Sequence, residues 1–332
     1  MARTAGDVLA AAIRAQAETV LRVHADVRAA TAPDVGGPDP SPGVGTSPVT
    51  GTAADAVHDA RVAVRRLRAV LRVFPDCTAA EPGTVGALTW WVRALGAARD
   101  AEVQRDGLAA LARDLVSAPS GVRAGLIVLD GALRAAHDDA RTAVRSALAS
   151  TRCRDLTARV GALASAPPLG PGAGGEAAVT LRPGVERELA RVGRRAGPVA
   201  GWHGPAPEDG PSPASAAGGT GSATSAARPA PDVVHRLRKA ARRARYAAEV
   251  LAGSGDHATD RWADDVVAHH RELQDLLGTV HDADVLRATL AGLRGPRTAA
   301  AVDACVQLGD ERAAQALAAA ATALRRGGPV RG

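Results

Sequence analysis

A chain of 332 residues can bury a large hydrophobic core in one or two domains, and its composition favours helices over sheets. Alanine is abundant and aromatic residues make up only 2% of the chain, whereas strands favour β-branched and aromatic side chains. The net charge of +6 is modest because 35 acidic residues offset most of the 41 basic ones, so a strong positive field requires clustering.

Secreted, zinc-binding and membrane-spanning classes are disfavoured. Cys77, Cys153 and Cys305 are odd in number, widely spaced and without a CxxC pair, which indicates neither a disulfide framework nor a zinc site. The first residues lack the apolar block of a signal peptide, and no run reaches the ~18 apolar residues that a membrane span needs. We therefore predict a cytoplasmic protein with no membrane partner.

Apolar residues at helical spacing predict helices along most of the chain. The predicted helices cover residues 6–30, 57–74, 85–112, 121–149, 152–164, 182–197, 234–251, 257–293 with a break near Gly278, and 297–325. Segments 31–55 and 197–231 are rich in Pro, Gly, Ser and Ala. They are predicted to be flexible loops, because they contain too few large apolar side chains to offset the entropy of ordering. A third, shorter flexible segment is predicted at 165–180.

Two of the predicted helices have related sequences. "VHDARVAVRRLRAVLRVF" (57–74) and "VHRLRKAARRARYAAEVL" (234–251) share 8 of 18 positions at an offset of 177 residues. A helix and a flexible loop precede each of them, which predicts a tandem repeat. The predicted fold is all-α, with two tandem four-helix repeats related by pseudo-two-fold symmetry and long flexible loops. Residues 1–165 form the first repeat, 166–181 a linker and 182–332 the second repeat.

The repeated helix has an apolar face and a basic face. At ~100° per residue, one stripe is predicted to face the core and consists of Ala60, Val64, Leu67, Leu71 and Phe74. A second stripe, ~80° wide and ~21 Å long, consists of His58, Arg61, Arg65, Arg68 and Arg72. In the second copy the same angles are occupied by His235, Arg238, Arg242 and Arg245, with Lys239 and Arg243 beside them.

A row of like charges at this spacing destabilises a helix, so an uncompensated row indicates an anionic partner. One interpretation is a solvated face whose charges pair with acids of neighbouring helices. The candidate acids are Asp100, Glu102, Asp282 and Asp284. Duplication of the row at the same angle favours a polyanion instead, because guanidinium donors match phosphate oxygens and binding releases counterions.

Few features of the sequence suit the reading of nucleic acid bases. Aromatic residues for base stacking are scarce, and no helix-turn-helix, RRM or OB-fold signature is found. A ligand recognised through its phosphate backbone is therefore expected. A nucleic acid partner is disfavoured, although sequence-independent binding to duplex nucleic acid remains an alternative.

The two basic helices, together with "LGAARDAEV" (95–103) and "LGTVHDADV" (277–285), resemble the two halves of the CHAD domain, the conserved histidine α-helical domain. The resemblance implies two helical repeats that enclose a basic channel and bind inorganic polyphosphate, often at polyphosphate granules. Other granule proteins would be further partners in that setting. No triphosphate tunnel domain of the CYTH type accompanies the resemblance, so a fused hydrolase is not indicated.

The resemblance assigns polyphosphate binding residue by residue. In the first half it points to His58, Arg61, Arg65, Arg66, Arg68 and Arg99, and the basic stripe adds Arg72. In the second half it points to His235, Arg238, Lys239, Arg242, Arg243, Arg245 and His281.

His-Asp pairs keep a second function open, a metal-dependent phosphohydrolase that acts on polyphosphate or nucleotides. The pair His281-Asp282 has a structural alternative, since Asp282 could cap a helix after the break at Gly278 and leave His281 at a loop corner. His269 and Glu272 share a helix face but lack HExxH spacing. No P-loop, dinucleotide-binding or GxSxG motif is found, so we predict no cofactor, no metal ligand and no catalytic residue.

Overall fold

The computed structural model describes residues 3–31, 53–203 and 228–327, which are mostly helical. The helices are α1 (Ala5–Thr31), α2 (Ala53–Val73), α3 (Thr84–Ala94), α4 (Gly96–Asp114), α5 (Ser120–Ala149), α6 (Thr151–Ser165), a 3-10 turn (Pro171–Gly174), α7 (Ala177–Ala200), α8 (Pro231–Leu251), α9 (His257–Gly292) and α10 (Ala299–Arg326). No strand forms within these ranges, so the all-α prediction is confirmed. None of the described helices is long and apolar enough to cross a membrane.

The chain divides into two compact units. We call the first the N-terminal unit, which contains Thr4–Arg105 and Ala132–Gly175. The second, the C-terminal unit, contains Met1–Arg3, Asp106–Gly131 and Glu176–Gly332. Helices α4 and α5 each contribute residues to both units. The predicted repeat boundaries and pseudo-two-fold relation stay predictions.

In the N-terminal unit, α1 packs against α2, α6 and the 3-10 turn, while α3 packs against α2 and α6. The predicted core stripe of α2 is confirmed, because its five side chains are at most 6% exposed. These are Ala60, Val64, Leu67, Leu71 and Phe74. Burying a leucine side chain contributes roughly 1.5–3 kcal/mol, so this stripe fixes the rotation of α2 and the direction of its basic stripe.

In the C-terminal unit, α7 and α9 each pack against both α8 and α10. Helix α8 buries Leu237 fully, and its buried face also contains Ala240, Ala241 and Ala244. Alanine side chains allow close approach at native packing density, so α8 sits tightly between its neighbours.

Two predicted helix boundaries are wrong. The helix expected over 85–112 is two helices, α3 and α4, that meet at Leu95. The break expected near Gly278 does not exist, since α9 runs without interruption from His257 to Gly292. Asp282 is therefore not a helix cap, and His281 lies inside a helix and not at a loop corner.

The missing side chain of Gly278 makes room for a basic residue. A Cβ at this position would lie 3.3 Å from Nη2 and 3.5 Å from Nε of Arg238 on α8. Glycine weakens a helix interior by roughly 1 kcal/mol relative to alanine. The glycine that suggested a helix break thus allows the guanidinium of Arg238 to lie against α9.

The predicted linker 166–181 and the predicted flexible segment 165–180, which overlap, contain ordered structure. The N–H groups of Gly170 and Gly172 donate to the carbonyls of Cys77 and Asp76, both at 2.9 Å. A Cβ on Gly170 would lie only 2.7 Å from the Asp76 carbonyl oxygen, so a larger residue cannot take this position without a shift. Helix α7 then begins at Ala177, before the predicted start at 182.

The two predicted long loops are described only at their ends. Residues 32–52 and 204–227 lie outside the described residues, whereas 53–55 and 197–200 are helical and correct the predicted loop limits. At one end of the second loop, Arg325 of α10 donates to the carbonyl of Ala200 at 2.7 Å, and Trp202 is buried. At the other end, Arg228 contacts Asp284 of α9 at 2.9 Å. Both described ends are thus anchored to the C-terminal unit.

Replacing Gly278 with alanine should separate helix stability from the position of Arg238. We expect Gly278→Ala to leave the free energy of unfolding unchanged or raise it by up to about 1 kcal/mol, while it displaces the Arg238 guanidinium. Urea denaturation measures the first effect, and the side-chain Nε–Hε resonance of Arg238 reports the second. Gly309→Ala is the matched control, because a Cβ there meets no atom within 4 Å. An unchanged Arg238 resonance would contradict the expectation.

Candidate functional site

The C-terminal unit brings the basic residues of α8 next to a histidine of α9. His235, Arg238 and Arg242 are half-buried and Lys239 is exposed, all away from the buried Leu237 and alanine face. The imidazole of His281 lies beside that of His235, with ring centroids 4.5 Å apart and planes tilted by 32°. The structure therefore places His281, which was predicted from its motif alone, beside the basic row of α8, which consists of His235, Arg238, Arg242 and Arg245.

The surroundings of His235 are strongly positive. Burial, together with repulsion from Lys239, His281, Arg238 and Arg242, lowers its pKa from 6.5 to about 4. His235 is therefore neutral at pH 7, because protonation would place a charge on a half-buried ring beside other positive side chains.

Three buried nitrogen atoms of this row have no hydrogen-bond partner among the described residues. They are Nδ1 of His235 and Nε of Arg238 and of Arg245, the last of which lies 3.4 Å from Glu249. Buried polar atoms in native proteins are ordinarily satisfied, so the hydrogen bonding of this row is incomplete within the protein.

A cleft of about 760 Å³ opens beside the two histidines. His235 and His281 line one part of it, and Arg228 and Arg287 line another. Asp284, whose side chain is only 8% exposed, contacts both arginines. Asp310 lies 3.5 Å from Arg287 and 3.8 Å from Arg228, so two carboxylates balance two guanidiniums at this wall. Helix α8 adds His235 and Asp232 to the lining, and its positive side chains that act on His235 are those of Arg238, Lys239 and Arg242.

The sequence analysis missed Arg228 and Arg287. Arg287 follows His281 and Asp284 at intervals of three residues, a spacing that places all three on one face of a continuous helix. The predicted break at Gly278 hid this signal. Arg228 follows a low-complexity segment, and no local pattern marks it.

In the N-terminal unit, α2 and α4 surround a second histidine with arginines. Burial lowers the pKa of His58, and repulsion from Arg99, Arg65 and Arg61 adds to the effect, whereas Asp59 opposes it. Arg65, Arg66 and Arg68 are half-buried, and Arg72 is exposed at the end of the stripe. His58 and Arg99 thus lie in one positive cluster.

Arg61 differs from the rest of its row because the fold uses it. Its side chain is buried, and Nη1 donates to the carbonyl of Gly96 at 2.8 Å and to Asp100 at 3.2 Å. The Gly96 carbonyl lies at the junction of α3 and α4. Arg61 thereby ties α2 to this junction.

Several other basic residues have acidic partners nearby. Arg99 donates to Glu102 at 2.6 Å, and Arg243 donates to Glu188 of α7 at 3.2 Å. Arg245 is buried, lies 3.4 Å from Glu249 and stacks over the ring of Tyr246. Of the acids expected to pair with the basic rows, Asp100 contacts Arg61 and Glu102 contacts Arg99. Asp284 instead contacts Arg228 and Arg287, which lie outside the α8 row.

The described histidines and acids considered as metal ligands are not grouped as a metal site requires. Within residues 3–31, 53–203 and 228–327, no group of three or more His, Cys, Asp or Glu side chains is arranged to hold a metal ion. Glu272, considered together with His269, contacts Arg326 at 2.8 Å.

Substitution of Arg61 and Arg65 should distinguish a buried arginine that links two helices from a half-buried one of the same stripe. We expect Arg61→Gln to lower the free energy of unfolding by about 1–3 kcal/mol, because it leaves buried acceptors without their charged donor. Arg65→Gln removes the same charge from a half-buried position of the same stripe and should cost less than about 1 kcal/mol. Urea denaturation of both variants at one salt concentration provides the comparison, and equal losses would contradict it.

The low pKa of His235 predicts a loss of stability in acid. The unfolded chain binds a proton at His235 near pH 6.5 and the folded chain only near pH 4. Protonation therefore favours the unfolded state as the pH falls through this window. We expect the wild type to lose more stability between pH 7 and pH 4 than His235→Gln does. Histidine resonances followed by NMR give the pKa directly, and titration of His235 near 6.5 in the folded protein would refute this expectation.

Comparison with known proteins places the chain in a family. The CHAD domain family matches residues 47–291. PptA from Streptomyces chartreusis has a similar structure, with a TM-score of 0.69 and 23% identity over 97% of this chain and 99% of that one. The CHAD domain from the plant Ricinus communis gives a TM-score of 0.64 and 21% identity over 98% and 92% of the two chains. Among curated proteins, no relative matches. The protein belongs to the CHAD domain family.

Proposed function

We propose that this protein binds inorganic polyphosphate without hydrolysing it. The observation that carries the proposal is the cluster around His235, whose ring centroid lies 4.5 Å from that of His281 and whose protonation is opposed by Arg238, Lys239 and Arg242. A polyanion relieves the repulsion among these side chains, and charged groups of the row such as those of Arg238, Lys239 and Arg242 can donate to its oxygens.

The contacts in this proposal are the basic residues of α2 and α8 with one residue each from α4 and α9. They are His58, Arg61, Arg65, Arg66, Arg68, Arg72, Arg99, His235, Arg238, Lys239, Arg242, Arg243, Arg245 and His281. Arg61, Arg243 and Arg245 also make intramolecular contacts, so their main contribution is to hold the neighbouring helices and the local positive field.

Polyphosphate suits these residues better than a nucleic acid. Arginine forks bind phosphate oxygens in a planar, bidentate manner in either ligand, but polyphosphate has no bases to stack, and aromatic residues make up only 2% of this chain. Membership of the CHAD family supports the same ligand, because resemblance to this family implies polyphosphate binding. That resemblance also implies a single basic channel, a location at polyphosphate granules and contact with other granule proteins. These three points complete the proposal.

Removal of four charges from the two rows should abolish tight binding. We expect the combined variant Arg65→Gln, Arg238→Gln, Lys239→Gln and Arg242→Gln to lose at least about 100-fold in affinity for long-chain polyphosphate near 0.1 M salt. The slope of log affinity against log salt should fall by about 3–4, because each lost phosphate contact removes roughly one released counterion. Isothermal titration calorimetry over a salt series measures both quantities.

The matched control removes four charges from exposed or half-exposed ion pairs elsewhere. It combines Arg159→Gln, Arg294→Gln, Arg312→Gln and Arg326→Gln, whose acidic partners are Glu81, Asp303, Asp114 and Glu272. A folded test variant that binds as tightly as this control would overturn the proposal.

Two further arms separate the alternatives. Incubation of the wild type with polyphosphate and Mg²⁺ or Mn²⁺ should release no phosphate, whereas a metal-dependent phosphohydrolase would release it. Duplex DNA should fail to displace bound polyphosphate at equal phosphate concentration, whereas a backbone binder without ligand preference would exchange the two.

A further inference from the structure

A buried glutamate organises a second group of arginines where α7 packs on α8. The Glu188 side chain is 9% exposed, and its carboxylate accepts from Nη1 of Arg191 at 2.8 Å and 3.2 Å. The same carboxylate accepts from Nε of Arg243 at 3.2 Å. One acid therefore fixes two guanidiniums side by side, each with further donors that Glu188 does not use.

A third arginine gives this group an excess of positive charge. Arg195 follows Arg191 by one helical turn on α7. Burial lowers the pKa of Arg243, and repulsion from Arg191 and Arg195 lowers it further, although Glu188 acts in the opposite direction. Arg191 and Arg243 thus share one carboxylate, and Arg195 adds a third positive charge beside them, which leaves a net excess of positive charge for an external anion.

The group continues the row of α8. At ~100° per residue, Lys239 lies ~40° and Arg243 ~80° around the helix from His235, on the side that turns toward α7. A path of basic side chains therefore runs from His235 through Lys239 to Arg243 and on to Arg191 and Arg195.

The first half of the chain lacks this group, although α1 packs on α2 as α7 packs on α8. At the offset of 177 residues, Glu188 corresponds to Ala11 and Arg195 corresponds to Glu18. Arg14, which corresponds to Arg191, donates to the carbonyl of Ala164 at 3.3 Å. Packing of the two helices consequently does not require the cluster, and an ion pair for stability alone would not require the extra arginine.

We propose that Arg191, Arg195 and Arg243 form a phosphate-binding extension of the α8 row, with Glu188 as the residue that positions two of them. The inference rests on the proposed polyphosphate function and adds to it a preference for long polyphosphate chains over short ones. Short chains are held by the row around His235, while longer chains also contact α7 and gain affinity there.

The test compares long-chain polyphosphate with tripolyphosphate on the full chain. We expect Arg191→Gln combined with Arg195→Gln to weaken binding of the long chain at least about fivefold and to lower its salt slope by about 2. Affinity for tripolyphosphate should change less than about twofold. The control combines Arg294→Gln with Arg326→Gln, which removes the same charge from exposed ion pairs of the C-terminal unit.

Each result has a distinct meaning. Long-chain affinity and salt slope equal to those of the control would overturn the extension while leaving the proposed function intact. Absence of binding by the wild type would overturn the proposed function itself, and the extension with it. Should the double variant fail to fold, Arg195→Gln alone leaves both contacts to Glu188 in place, and it should lower the salt slope by about 1, with Arg326→Gln as its control.

Discussion

Repulsion among like charges is the constraint that governs the arrangement of this protein. Basic side chains crowd His235 in one unit and His58 in the other, and each pair at helical spacing costs a few tenths of a kcal/mol. The opposite faces of α2 and α8 offset that cost, because each fully buried leucine, such as Leu67 or Leu237, contributes roughly 1.5–3 kcal/mol. Burial of the hydrophobic face of each helix thus compensates for the repulsion among charges on its basic face.

The fold distributes this repulsion unevenly among the arginines. Arg61 donates to the Gly96 carbonyl and contacts Asp100, and Arg243 contacts Glu188, so both arginines reinforce contacts between helices. Arg238 instead lies beside a glycine that leaves it room, and its Nε stays unsatisfied within the protein. The basic stripes of α2 and α8 therefore contain residues that stabilise the bundle and residues whose hydrogen bonding the protein itself leaves incomplete.

Local sequence patterns predicted what depends on a single helix. The core stripe of α2 and the all-α class follow from periodicity within each helix. Features that depend on a neighbouring helix were missed or wrong. Gly278 indicated a helix break because its contact with Arg238 cannot be read from α9 alone. The roles of Arg228 and Glu188 likewise depend on partners more than fifty residues away.

The contacts of Arg228 have a consequence for the cleft beside the histidine pair. Arg228 is held there by Asp284 of α9 and Asp310 of α10, and the same two acids hold Arg287. This wall of the cleft is therefore built by acidic residues, in a protein whose proposed ligand is an anion. An acid-to-amide change at Asp284 or Asp310 would alter the shape and the charge of the cleft together, without touching a residue of either basic helix.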